Sequence, residues 1–82
     1  HLFVSQALKE AIEKFLKVKE LKPTWIENVL YYAKALAAKD SKSNKEEISK
    51  ELKQAAEMTP ENDADRKAQE EVKELLRKKY AK

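Results

Sequence analysis

An all-α fold, an up-down bundle of four short amphipathic helices, is predicted by three features of this 82-residue sequence. Apolar residues recur at steps of three and four along most of the chain, the period of one helix face. Ala, Glu, Lys and Leu are abundant, and these side chains lose little rotamer freedom in a helix. Glycine is absent altogether, and Val, Ile and Thr are few. Tight β-hairpins depend on glycine to reach positive φ, so a sheet is disfavoured. Helix ends commonly use glycine too; here they must close on Asn, Lys, Asp or Ser.

The first helix is predicted at about residues 5–19, where Val4, Leu8, Ala11, Phe15 and Val18 form a core-facing seam widened by Ile12 and Leu16. Lys9, Glu10, Glu13, Lys14 and Lys17 fill the opposite face, with Glu10–Lys14 and Glu13–Lys17 four residues apart. Lys22-Pro23 breaks this helix, because proline disfavours the helical region for the residue before it. Thr24-Trp25-Ile26-Glu27 then reads as a capping box opening a second helix, residues 24–39. Its stripe of Ile26, Val29, Ala33 and Leu36, widened by Trp25, Leu30, Tyr32 and Ala37, is the most hydrophobic in the chain and the expected centre of the fold.

Asp40 to Asn44 is a polar connection, and either Ser43 with Glu46 or Asn44 with Glu47 can cap a third helix over residues 44–58. That helix is expected to be the weakest, with only Ile48, Leu52, Ala55, Ala56 and Met58 for the core. Thr59-Pro60-Glu61 signals the start of a fourth helix, residues 60–80, with the stripe Ala64, Ala68, Val72, Leu75, Leu76 and Tyr80. Asp63 and Asp65 near its start and Arg77, Lys78 and Lys79 near its end suit the helix dipole. Connections of about four to six residues favour antiparallel neighbours. The alternative is a three-helix packing in which the third helix contributes little. No linker or repeat divides residues 1–82, so one domain is expected. Its thin stripes leave a homodimer, formed through the second helix, as one partner reading.

The composition excludes more functions than it suggests. There is no cysteine, hence no disulfide or thiolate chemistry. No apolar run reaches the roughly 18 residues of a membrane span, and no signal-peptide pattern stands at the start. Acid–base catalysis needs two carboxylates in a pocket with their pKa values pushed apart. The acids here fall on expected solvent faces beside lysines. Nucleophilic catalysis needs a base beside Ser, Thr or Cys, and the single histidine is His1. With the terminal amine, His1 has a weak capacity for copper or nickel; an N-terminal histidine is more often a processing or cloning remnant. Inward Glu-x-x-His pairs and glycine-rich phosphate loops are both missing. The sequence therefore predicts no enzyme, no cofactor and no metal site.

The net charge of +3 and the basic ending Arg77-Lys78-Lys79 raise nucleic acid as a partner. No segment carries an excess above +2, however, whereas a nucleic-acid face shows clustered Lys and Arg with few acids between them. A protein partner is the better expectation, at a contact patch of Phe3, Trp25 and Tyr31, although Trp25 also fits the core stripe.

Three resemblances accompany this reading. Leu21-Lys22, Ile26 to Leu30 and Tyr32-Ala33-Lys34, with Leu8 and Ala11-Ile12, resemble the first two helices of the KIX domain of transcriptional coactivators; its long third helix has no counterpart. Ser5-Gln6-Ala7, Lys22-Pro23-Thr24, Tyr32 and Val72 to Leu75 with Lys78-Lys79-Tyr80 are similar to acyl-CoA-binding protein, but its tryptophan-bearing motif and ligand-loop glycine and proline are absent. These two resemblances occupy overlapping residues and exclude each other, so neither function is carried over. The capping boxes, the Thr59-Pro60-Glu61 start, the dense Glu/Lys pairing and the lack of cysteine resemble computationally designed helical bundles, which departs from that class only in lacking glycine at helix ends. That resemblance implies a designed or redesigned scaffold with no biochemical activity. The alternative is a small protein-interaction module using an exposed apolar helix face, and a third reading is a small-molecule or acyl-chain carrier.

Overall fold

The computed structural model describes residues 2–80, with side chains described for residues 6–80. Four helices follow one another: α1 Leu2–Leu21, α2 Ile26–Asp40, α3 Lys45–Ala56 and α4 Asp63–Leu75. A π-helical turn, Leu76–Tyr80, extends α4. No strand occurs among the described residues.

The predicted antiparallel succession is visible in the contacts. Between α2 and α3, Leu36 meets Asn44 and Tyr32 meets Glu47. Glu27 meets Asp65 and Lys34 meets Glu71, so α2 and α4 run parallel as alternate members of the series. The central element is α2. Ile26, Val29, Leu30, Tyr32, Ala33 and Leu36 are buried there, with Ile48, Leu52 and Ala55 of α3 and Ala68 and Val72 of α4.

The relative weight of the helices differs from expectation. Ile48, Leu52 and Ala55 of α3 are each no more than 1% exposed, so α3 is a full member of the core. The peripheral helix is α1. Among the described residues its backbone packs against α2 and it reaches α3 through the Lys19 side chain, and none of its described side chains is fully buried. The reason is chemical: the α3 stripe is short but sits between two neighbours, whereas the longer α1 stripe has one. Phe15 and Ile12 reach the core edge, while Leu16 and Leu21 remain exposed. The pairs Glu10–Lys14 and Glu13–Lys17 are not among the ion pairs formed by the described residues.

The helix ends also depart from the local signals. Thr24 is exposed and α2 begins after Trp25, which supplies no side-chain cap. Its first turn is instead met by Asp65 of α4, whose carboxylate accepts from Glu27 N at 3.4 Å and from Glu61 N at 3.3 Å. A carboxylate suits this position because helix N-termini carry partial positive charge and orphan N–H groups. The helix after Pro60 starts later than predicted, at Asp63, with Asn62 Oδ1 accepting from Asp65 N at 2.8 Å. Asn44 precedes α3 but directs its amide back to Leu36 O, and Ser43 bonds Asp40. Gln69 of α4 closes the end of α3, its Nε2 donating to the carbonyls of Ala55, Ala56 and Met58. The inward stripe of α4 thus runs Asp65, Ala68, Gln69, Val72, whereas Ala64 is exposed. Two polar residues occupy it because they satisfy backbone groups that would otherwise be buried unpaired.

Two buried carboxylates make the interior sensitive to substitution. Asp65→Ala removes an acceptor from two backbone donors, and unfolding in urea is expected to show a loss of about 1–3 kcal/mol. Asp63→Ala, where the acid is exposed and pairs with Arg66 of its own first turn, is expected to change stability by less than about 0.5 kcal/mol. Glu51 is 3% exposed and pairs with Lys19 at 2.6 Å. Lys19→Ala strands that buried charge, so it is expected to destabilise more than Glu51→Gln, which leaves an uncharged amide. Equal losses from the two variants in the same urea titration would contradict a charge-based account.

Candidate functional site

The exposed aromatic of the core helix marks the most distinctive surface. The side chain of Tyr31 is 45% exposed on a helix whose neighbouring positions Leu30 and Tyr32 are buried. Positions 30, 32 and 33 face the core; position 31 is turned away from it between the flanking helices. Phe15 of α1 stacks on its ring at 6.4 Å between centroids, and the Lys34 ammonium lies 5.8 Å from the ring centre. On the other side a groove of about 380 Å³ runs along α4, lined by Glu27, Leu30, Tyr31, Asp63, Lys67 and Glu71 among others. Among the described residues α1 and α4 do not pack against each other, and α2 forms the floor between them. Near one end Lys22 and Glu61 span the gap at 3.2 Å.

The groove is more acidic than basic. Glu27, Asp63 and Glu71 line it with Lys67, although Lys34 pairs with Glu71 and Arg66 with Asp63. Of the predicted contact patch, Tyr31 is exposed as expected. Trp25 is half-buried at the start of α2, and Phe3 lies outside the residues whose side chains are described, as His1 lies outside the described residues.

A second polar cluster joins α1, α2 and α3. Glu51 pairs with Lys19, whose ammonium lies 5.6 Å from the centre of the Tyr32 ring. Tyr32 Oη donates to Glu47 at 2.9 Å. Glu51 Oε1 is buried without a hydrogen-bond partner. Burial above all, then the bond to Glu47, hold the Tyr32 phenol well above its ordinary value of 10. This cluster holds two carboxylates, Glu47 and Glu51, and of these Glu51 is buried, as Asp65 is elsewhere in the core. Both buried acids were expected on solvent faces, and the fold instead engages them with Lys19 and with backbone N–H groups. Among the described residues, no group of three or more His, Cys, Asp or Glu side chains could hold a metal. No described helix is long and apolar enough to cross a membrane.

The clearest residues missed by sequence reading are Asp65, Gln69 and Glu51, polar groups placed inside. For the first two the signal was present: Asp65, Ala68, Gln69, Val72 and Leu76 follow the spacing of a buried face more closely than a stripe starting at Ala64.

The Tyr32 environment gives a pH-dependent prediction. A phenol whose folded pKa lies above its unfolded value stabilises the fold fully below about pH 10. That contribution falls as pH rises past the unfolded value toward the folded one. Urea titrations above pH 10 are expected to show a steeper loss for the wild type than for Tyr32→Phe, and parallel curves would refute the assignment.

A match to a known family covers almost the whole chain: residues 4–81 fit the family model described as RMD1-3, regulator of microtubule dynamics protein 1-3. No curated protein and no solved structure matches.

Proposed function

We propose that this chain, which belongs to the regulator of microtubule dynamics protein 1-3 family, is a non-catalytic interaction domain holding a segment of a protein partner in the groove over α2. Membership supports a natural helical domain; nothing in the fold or the match shows a designed one. The family description names regulation and no reaction.

The observation that carries this reading is Tyr31. An aromatic ring almost half exposed, held from one side by Phe15 and bordered by a groove on the other, is costly to leave in water and already ordered. Interfaces concentrate their binding energy in such rings, because Tyr offers large contact area and a hydroxyl with few torsions to freeze. Lys34, Lys67 and the groove carboxylates supply a polar rim. The two flanking helices leave room for one segment, extended or helical, lying across α2.

The family description makes polymerised tubulin the first partner to test. In co-sedimentation, the chain is expected to pellet with microtubules. Tyr31→Ala is expected to weaken binding by about 2 kcal/mol, roughly thirtyfold, as for a hot-spot aromatic. The variant should lose only about 0.5–1.5 kcal/mol of stability from the missing stack. Sedimentation of Tyr31→Ala indistinguishable from wild type would overturn the groove, and a chain that stays in the supernatant would favour an inert scaffold.

A further inference from the structure

The outer face of α3 carries a second surface, independent of the groove over α2. Lys45, Lys50 and Lys53 line a cleft of about 670 Å³ with Glu46, Ser49, Gln54 and Tyr80. A neighbouring cleft of about 460 Å³ shares Lys45 and Tyr80 and adds Lys42 and Lys79. Five ammonium groups thus surround one tyrosine, with one carboxylate among the linings. Lys42, Lys45, Lys50 and Lys53 enter no ion pair among the described residues.

The arrangement depends on how α3 sorts its charges. Glu51 turns inward to Lys19, and Glu47, itself exposed, accepts from the Tyr32 hydroxyl on the side facing α2, so two acids of this helix are drawn away from its lysines. Its lysines remain outside. The π-helical turn brings Tyr80 against α3 and closes one wall. A helix whose sequence carries as many acids as bases, three of each, therefore presents a basic face.

We propose that this cleft binds an acidic, extended peptide segment of a partner protein. From Lys45 to Lys53 the rise is about 12 Å, at 1.5 Å per helical residue. An extended chain places every second side chain on one face at about 6.6–6.8 Å. Carboxylates at alternate positions therefore span the three lysines within about five residues. The lysine stems and the Tyr80 ring give the peptide an apolar bed, and Ser49 and Gln54 offer hydrogen bonds to its backbone. Nucleic acid fits less well: the cleft has no Arg for bidentate phosphate contacts, and Glu46 lies within it.

The test is fluorescence anisotropy with a labelled peptide of alternating Glu and Ala at low salt, against the wild-type chain. Saturable binding that weakens with added salt is expected. Lys45→Glu with Lys50→Glu should weaken it about tenfold, the sum of two exposed ion pairs lost and reversed. Lys9→Glu with Lys14→Glu on α1 should leave it unchanged, and circular dichroism checks that each variant folds. Should the double reversal unfold, Lys50→Gln is the decisive variant, with a loss of about two- to threefold. No saturable binding, or equal loss from the α1 variant, overturns the proposal. So does preferential binding of a single-stranded oligonucleotide that the Glu peptide does not displace.

Discussion

A chain without glycine has to close its helices by other means, and this constraint shapes the molecule. No described residue adopts positive φ, so the usual left-handed stop after a helix is never used. At the end of α3 a side chain from the neighbouring helix contributes, Gln69 of α4 collecting three carbonyls, and at the opposite kind of terminus Asp65 of α4 meets the first turn of α2. Asn28 of α2 donates to Phe15 O in α1. Secondary and tertiary structure are coupled as a result, since the start of α2 and the end of α3 are each hydrogen-bonded to a side chain of α4. A fold built this way gains specificity, because a register slip would leave buried polar groups unpaired.

The same logic sets a gradient of attachment. The core between α2, α3 and α4 is fixed by interdigitated aliphatic side chains and the bonds from α4. In contrast, among the described residues α1 packs on α2 through half-buried contacts and the Asn28 amide, and reaches α3 through the Lys19–Glu51 pair. Local opening follows regions with few buried apolar contacts, so α1 is the helix that opens at lowest free-energy cost. Because Phe15 of α1 supports Tyr31, the groove and that opening are linked.

Charge is sorted by folding, not by composition. The acids of the α2–α4 groove and the lysines outside α3 lie on separate surfaces of a chain whose signs nearly balance, 18 basic against 15 acidic residues. Two separate charged surfaces on a small domain suit simultaneous contacts with different segments, and binding at each is weakened by salt because its charges are exposed.

Periodicity by itself determined the all-α class, the succession of four helices, α2 as their centre and the exposure of Tyr31, because apolar positions recurring every three to four residues line up on one side only when the chain is a helix. Local capping rules placed helix starts at Thr24, Ser43 or Asn44, and Thr59-Pro60, and they failed where a partner from another helix binds better than the nearest residue. The peripheral standing of α1, the burial of Asp65, Gln69 and Glu51, and the basic face of α3 were decided by tertiary structure. Each depends on which groups come within hydrogen-bonding distance across helices, and that distance is a property of packing, invisible in any single stretch of sequence.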